Sequence, residues 1–371
     1  MFRGSYGIFT ETLGRFARVL QNGPFQLSES FTNAIQNGRP LFQFPTPFPA
    51  GAGSVASQSI TGYPTDTTNG RIHQFNFSVE RQVKDIGIRL SYVGARDRGM
   101  NYNVNINKPV ASLIPFTQSR RPYPQFVGAT IGKHDGSLNY NAFTVEGRRR
   151  MGQFNFDAHW TWTSNYLNYQ NIEDPYAPLR WSHDQYSSKF RAVVSADWSM
   201  PFGHGKTFLT NAPRAVDFAL GGWHADWVSI FETGQFFTPS YSGVDSSNTN
   251  TASGLPDRIG NGNLPADQRT LEHWFDASAF TVPTPGHYGN ASPFSLEGPG
   301  LTVHNLSVSK GFKARERFNT TFMVAVQNLF NHPTFAAPAA NISSAGTVGV
   351  ISSTKGYLGA RTIELRLRIQ F

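Results

Sequence analysis

The chain ends in Ile363-Glu364-Leu365-Arg366-Leu367-Arg368-Ile369-Gln370-Phe371, where apolar and polar residues alternate without exception. Successive side chains of a strand point to opposite faces, so one face is apolar and the other is charged. A strand of a bacterial outer-membrane barrel faces lipid on its outer side and water or a polar plug on its inner side. It typically has an aromatic residue at the membrane interface. The segment therefore predicts a membrane-spanning strand that engages the barrel-assembly machinery. Its lipid-facing residues would be Ile363, Leu365, Leu367, Ile369 and Phe371.

The same two-residue period recurs along the chain. Phe154, Phe156, Ala158, Trp160 and Trp162, for example, alternate with polar residues. Such runs are close to the length of about 9 to 11 residues that crosses a bilayer at a tilt. No segment shows the period of an amphipathic helix of any length. The sequence predicts ten strands, at residues 3–11, 71–83, 85–96, 139–150, 152–163, 187–200, 222–237, 301–311, 317–327 and 360–371.

The predicted connections alternate in length. Tight turns join 71–83 to 85–96, 139–150 to 152–163 and 301–311 to 317–327, and the link at 201–221 is intermediate. Outer-membrane barrels have short periplasmic turns and long extracellular loops in strict alternation. The pattern therefore predicts an all-β fold, an antiparallel transmembrane β-barrel, with Phe371 on the periplasmic side. The long loops would be 12–70, 97–138, 164–186, 238–300 and 328–359.

Composition narrows the class of protein. Only 39% of the 371 residues are hydrophobic, and no stretch approaches the roughly 18 apolar residues of a membrane helix. Cysteine is absent, which excludes disulfides and thiolate zinc sites. The net charge is 32 − 24 = +8. Because we find neither a recognition helix nor a basic arm, no nucleic-acid partner is expected.

The first residues conflict with an outer-membrane location. Met1 to Leu20 contain neither the uninterrupted apolar core nor the small-residue cleavage site of a secretory signal peptide. Either the chain is a fragment of a longer protein, or it does not lie in the membrane.

An ordered series of short segments resembles the Oar-like TonB-dependent receptors. No single motif is specific, but their order is similar along nearly the whole chain. The segments are Phe75-Asn76-Phe77-Ser78-Val79-Glu80-Arg81, Ser91-Tyr92-Val93-Gly94-Ala95-Arg96, Asn105-Ile106-Asn107-Lys108-Pro109, Arg121-Pro122-Tyr123-Pro124-Gln125-Phe126, Tyr140-Asn141-Ala142-Phe143, Leu220-Gly221-Gly222-Trp223, Thr233-Gly234-Gln235, Gly298-Pro299-Gly300 and Val326-Gln327-Asn328-Leu329-Phe330-Asn331-His332-Pro333-Thr334-Phe335.

The resemblance implies a plugged barrel of about 22 strands in the cell outer membrane, driven through TonB. Residues 1–371 would be its C-terminal part, with the plug and the N-terminal strands absent, so the TonB complex would act only through the missing part. The expected function is binding or movement of an unknown solute, captured by loops 97–138, 164–186 and 238–300. Two alternatives stay open, namely a structural or adhesive barrel and a soluble all-β carbohydrate-binding domain.

Two sets of residues are candidates for function. Charges on the polar strand faces could line a solute path, or could pair with a plug. They are Arg89, Glu146, Asp157, Arg191, Glu364, Arg366 and Arg368. Five tryptophans on strands suggest anchoring at the membrane interface, with sugar stacking as the alternative. They are Trp160, Trp162, Trp198, Trp223 and Trp227.

None of the remaining motifs predicts a catalytic site, a cofactor site or a metal site. Gly205-Lys206-Thr207 ends like a phosphate loop, but Met200 stands where the pattern needs glycine. His183-Asp184 and His224 with Asp226 are each only half of a triad or a metal site, without a third ligand in the sequence pattern. Asp245-Ser246-Ser247-Asn248 lacks the carboxylate spacing of a calcium loop.

Overall fold

A computed structural model describes residues 1–10, 33, 35–40, 42, 44–45, 58–62, 66, 68–314, 318–356 and 359–370. Ten long strands form one antiparallel sheet in which each strand pairs with its neighbours in chain order. This meander confirms the predicted fold class. The strands are β1 (Phe2–Thr10), β2 (Arg71–Val83), β3 (Ile86–Asn105), β4 (Phe126–Arg149), β5 (Phe154–Leu167), β6 (Phe190–Ser199), β7 (Trp223–Glu232), β8 (Leu301–Ala314), β9 (Phe318–Gln327) and β10 (Thr362–Gln370).

We call the ten-stranded sheet the wall. Its register places apolar side chains on one face and polar side chains on the other. Leu365 of β10 lies opposite Val324, which lies opposite Val308 of β8. The same face continues through Ala225 to Trp198 of β6. No second sheet covers this face in the described part of the chain. A soluble all-β protein would have to cover it, so the structure does not favour the soluble alternative.

The apolar residues of β10 are the clearest case. Ile363, Leu365, Leu367 and Ile369 share the apolar face, as predicted, and the side chain of Leu365 is 69% exposed. Phe371 lies outside the described residues. Within those residues β1 and β10 do not pair with each other, so the wall has two open edges.

The structure corrects the loop predicted at 97–138. β3 continues to Asn105 and β4 begins at Phe126, so most of this segment is a long hairpin and the loop is only 106–125. Near the end of β3 the residues Arg96, Asp97 and Arg98 are all charged, so the apolar alternation stops before the strand does. The short strand Gln58–Gly62 pairs in parallel with the start of β4. Most of the predicted loop 12–70 lies outside the described residues.

A helix of seven residues, α1 (Arg214–Leu220), interrupts the link between β6 and β7, where no helix was predicted. It begins after Pro213 and is too short to show a helical period. Among the described residues, no helix is long and apolar enough to cross a membrane. The other short elements are strands Ile35–Gln36, Arg39–Pro40, Ser182–His183, Phe236–Phe237, Tyr241–Ser242, Ser253–Gly254, Asp257–Arg258, Phe280–Thr281 and Leu296–Glu297, and 3₁₀ turns Gln118–Arg120, Ala266–Gln268 and Ala277–Ala279.

The connections at the ends of the strands opposite the tight turns and α1 pack together. We call them the loop layer, which consists of residues 106–125, 168–189, 233–300 and 328–356. Phe275, Phe280 and Leu296 are almost fully buried in its apolar core. Ile342 and Val348 of the last connection pack against that core. The connections therefore form a folded layer above the wall.

Candidate functional site

All seven charged candidates of the sequence lie on the polar face of the wall. Arg89 lies opposite Glu146, Asp157 lies opposite Ser195, and Glu364 lies opposite Ala325. The strand period places the other members on the same face of β6 and β10. The seven candidates on this face are Arg89, Glu146, Asp157, Arg191, Glu364, Arg366 and Arg368.

Ion pairs link the polar face across β1 to β4. Arg89 pairs with Glu80, and its Nη1 lies 3.5 Å from Glu146 Oε2. Arg3 Nη1 lies 3.9 Å from Glu80, and Arg148 Nη1 lies 3.8 Å from Glu146. Because each charge faces its opposite, this chain of pairs leaves little net charge at this part of the wall.

Four of the remaining five charged candidates, namely Asp157, Arg191, Glu364 and Arg366, also have partners on the polar face. Arg191 Nε lies 3.3 Å from Glu232 Oε2. Arg366 Nη2 donates to Glu364 Oε1 at 2.7 Å. Asp157 lies 3.6 Å from the imidazole of His159. The polar face thus carries paired charges along most of the wall.

A cluster of three titratable groups lies where β6 and β7 approach the α1 link. His224 Nε2 is 2.8 Å from Asp197 Oδ2 and 3.3 Å from Asp226 Oδ1. Asp197 lies directly opposite Asp226 across the two strands. Sequence spacing suggested only His224 with Asp226, because Asp197 belongs to the neighbouring strand. The strand register supplies the third group.

The five tryptophans lie on the opposite, apolar face. Trp162 is opposite Phe143, Trp160 is opposite Val145, and Trp227 is opposite Ala196. Trp198 and Trp223 lie next to the ends of β6 and β7 at the α1 link. Trp223 Nε1 donates to the carbonyl oxygen of Ala219 in α1 at 2.8 Å. Trp160 and Trp162 lie further along their strand.

Lys310 is an exception on the apolar face, because it lies opposite Trp223 and Phe322. Its ammonium donates to the carbonyl oxygen of Phe218 in α1. It also lies 5.4 Å, 5.6 Å and 5.2 Å from the ring centres of Phe218, Trp223 and Phe312. Cation–π contact with three rings satisfies this charge where the wall meets α1. The side chain is buried, at 5% exposure.

The loop layer contains a buried polar cluster around Glu173. Its carboxylate accepts a hydrogen bond from the backbone N–H of Leu255 at 2.8 Å, and burial raises its pKa. Lys108 Nζ donates to the backbone carbonyl of Glu173 at 2.9 Å, and burial lowers the pKa of the lysine. Burial also raises the pKa of Tyr288, over whose ring Lys108 lies, to about 12. These bonds join three connections of the loop layer.

Two of the other sequence motifs lie in turns or bends, and His183 lies in the short strand Ser182–His183. Gly203 to Thr207 lies in bends of the link between β6 and β7, and the backbone N–H of His204 donates to Asp217 Oδ1 at 2.5 Å. Asp245 accepts hydrogen bonds from the backbone N–H groups of Thr249 and Asn250 at 3.1 and 2.7 Å. His183 stacks on Phe236 with ring centres 3.7 Å apart.

A match to a protein-family model supports this architecture. The family model described as an outer membrane beta barrel domain matches residues 1–364. The outer membrane transporter YddB from Escherichia coli is 8% identical with a TM-score of 0.43, over 85% of this chain and 35% of YddB. The FrpB iron transporter from Neisseria meningitidis (F3-3 variant) is 11% identical with a TM-score of 0.41, over 83% of this chain and 32% of FrpB. This chain spans about a third of the length of these transporters. No curated protein matches it significantly.

Proposed function

This chain belongs to the outer membrane beta barrel domain family, and we propose that it is part of the wall and loop layer of an Oar-like, TonB-dependent transporter. Family membership places it in the cell outer membrane. The proposed function is to bind a solute at the cell surface and to let it cross the membrane through the barrel lumen, without catalysis. The solute is unknown.

The observation that carries this proposal is the two-faced wall. Its apolar face, with Leu365 at 69% exposure, is suited to lipid, and its opposite face carries ion pairs such as Arg89 with Glu146. In a barrel, charged residues face the lumen because a charge on the lipid side costs about 2–4 kcal/mol at the bilayer midplane. We therefore assign the seven charged candidates to the lumen and the five tryptophans to the lipid side.

The open edges support a larger barrel. Unpaired backbone groups of β1 and β10 in lipid would each cost several kcal/mol, so a spanning sheet has to close. We infer that further strands pair with both edges, that a plug fills the lumen, and that TonB acts through the part that bears the plug. The barrel-assembly machinery would engage β10.

The loop layer is the proposed place of solute capture. Its connection 106–125 exposes Val110, Leu113 and Ile114, each more than 60% exposed. The backbone N–H of Ser112 donates to Ser247 O at 3.2 Å, which fixes this connection against the one between β7 and β8. Apolar side chains on a fixed surface offer a contact area to a solute with an apolar part.

A structural or adhesive barrel is the second candidate, and the apolar core of the loop layer favours it. A layer that carries its own core, built around Phe275, presents a fixed surface to a partner cell or matrix. Such a barrel would need neither a plug nor TonB.

Site-specific labelling tests the orientation of the wall. The chain has no native cysteine, so one introduced cysteine reports one place. We expect a membrane-impermeant maleimide to label Tyr186→Cys in the loop layer of intact cells. The matched variant Lys84→Cys, at the tight turn between β2 and β3, should react only after the outer membrane is permeabilised. Equal labelling of both in intact cells would contradict the orientation.

Two measurements on the native host separate the transporter from the adhesive barrel. In outer-membrane fractions, an antibody against residues 238–300 should detect a band well above 41.1 kDa if the wall belongs to a plugged transporter. The detergent-solubilised protein should then co-purify with TonB. A band at 41.1 kDa without TonB would favour the adhesive barrel. A signal only in the soluble fraction would contradict both candidates.

A further inference from the structure

We propose that Asp197, His224 and Asp226 bind a divalent transition-metal ion on the polar face of the wall. One candidate ligand atom from each residue lies within 4.8 Å of the other two. Asp197 comes from β6, while His224 and Asp226 come from β7 at a spacing of two residues. That spacing puts both side chains on the face shared with Asp197.

The electrostatics of the cluster favour a cation. Asp197 and Asp226 are directly opposite residues of neighbouring strands, an arrangement in which like charges are destabilising. Two carboxylates and one imidazole leave a negative excess that a divalent ion between them would offset. Both carboxylates, although not His224, also line an open pocket of about 280 Å³, which leaves room for water molecules on an ion.

The groups around the cluster orient it as a metal site requires. Ser199 Oγ lies 3.4 Å from His224 Nδ1, which leaves Nε2 directed at the two carboxylates. Asn155 Nδ2 donates to Asp197 Oδ1 at 3.0 Å. Hydrogen bonds to the outer atoms of metal ligands fix their orientation in this way.

Two buried oxygens beside the cluster are a second, independent observation. Within the described chain, Asn155 Oδ1 and Ser307 Oγ are buried and have no hydrogen-bond partner. Asn155 is opposite Asp197, and Ser307 is opposite Asp226. A buried polar atom without a hydrogen-bond partner is destabilising, and a metal-bound water would provide that partner.

The donor set narrows the ion. One imidazole nitrogen and two carboxylates suit zinc, cobalt or nickel, which accept mixed nitrogen and oxygen ligands. Soft thiolate sites are excluded because the chain has no cysteine. The site depends only on the pairing of β6 with β7, so it does not rest on the proposed transport.

Cobalt titration tests the site. The full chain, purified from outer membranes with a tag that lacks histidine and treated with EDTA, is titrated with Co²⁺ while its visible absorption is recorded. We expect one Co²⁺ per chain, with ligand-field bands that Zn²⁺ removes by competition. His224→Gln and Asp226→Asn should each weaken Co²⁺ binding at least tenfold.

The matched control is His159→Gln. His159 lies on the polar face of β5, and the one carboxylate within ion-pair distance of it among the described residues is Asp157, at 3.6 Å. Its substitution should leave Co²⁺ binding unchanged. All variants should keep their heat-modifiable migration, which shows that the wall is folded. Failure to saturate at one ion per chain, or equal binding by the His224→Gln variant, would overturn the proposal.

Discussion

Two leucines show how differently the wall and the loop layer use the same residue type. Leu365 of β10 is 69% exposed on the wall, whereas Leu296 in the loop layer is 0% exposed. Burial of a leucine side chain from water stabilises a protein by about 1.5–3 kcal/mol. Leu296 gains this free energy, whereas Leu365 would not gain it if water covered the wall. The wall therefore has lipid as its solvent, and the loop layer has water.

The two regions are also stabilised differently. The wall relies on continuous backbone pairing between neighbours, because unpaired backbone groups in lipid are costly. The loop layer has mostly two-residue strands and relies on a buried apolar core around Phe275 and on hydrogen bonds such as Leu255 N–H to Glu173. A substitution that disrupts the core of the loop layer should therefore leave the wall folded.

The largest effect is expected from Phe275→Ala in the loop layer. The side chain is 1% exposed, and truncating a buried phenylalanine costs about 3–5 kcal/mol. Protease treatment of intact cells should then cleave within residues 233–300, while the wall keeps its heat-modifiable migration. Tyr186→Ala, at a side chain that is 76% exposed, is the control and should stay resistant. Unfolding of the wall together with the loop layer would break the comparison.

The next effect compares two neighbours in β6. Val194→Arg puts a charge on the apolar face, at a cost of about 2–4 kcal/mol near the midplane. Ser195→Arg puts the same charge on the polar face, opposite Asp157, and should be tolerated. Urea unfolding in lipid vesicles measures both variants. Equal stability of the two would mean that lipid does not cover the apolar face.

A smaller effect is expected on the polar face itself. Arg89→Gln removes the positive charge that lies between Glu80 and Glu146, so it should slightly lower the free energy of unfolding. Arg191→Gln removes a single ion pair, with Glu232, and should lower the free energy of unfolding by less. Urea midpoints at low and high salt are the measurement, and added salt should shrink the difference. An effect of Arg191→Gln as large as that of Arg89→Gln would argue against the chain of ion pairs.

The smallest effect is a change in pH dependence. Since burial raises the pKa of Glu173 in the folded loop layer, folding favours its neutral form. Its contribution is fully present below the ordinary pKa of 4.5 and is lost as pH rises through the raised pKa. Protease resistance of the loop layer should therefore fall over that range in the wild type and less in Glu173→Gln. Glu272→Gln, at an exposed position, should keep the wild-type dependence.

The strands of the wall were predictable because lipid imposes a period of two on each of them. β2 lies at the predicted residues 71–83, and β9 and β10 differ from prediction only at their ends. The sequence did not predict the parts of β3 and β4 that lie next to the loop layer, residues 97–105 and 126–138. Outside the bilayer neither face of a hairpin has to be apolar, so the alternation is lost there. Helix α1 was missed because seven residues after Pro213 show too little of a period.

The candidate site was predictable only in part. Alternation alone placed Arg89, Arg191 and Arg366 on the polar face, since that prediction needs no knowledge of neighbours. Their ion pairs, and the contact of Asp197 with His224, depend on which strands pair and in which register. The core around Phe275 joins connections far apart in sequence, so no local pattern reveals it.

That core has a consequence for the order of assembly. Phe275 lies between β7 and β8, and Ile342 lies between β9 and β10, so the core needs both connections on the far side of the membrane. Its apolar residues therefore travel across before they can meet, and the loop layer folds after the strands on either side are inserted. Because contacts distant in sequence form slowly, we expect the outer surface to be the last part of the molecule to fold.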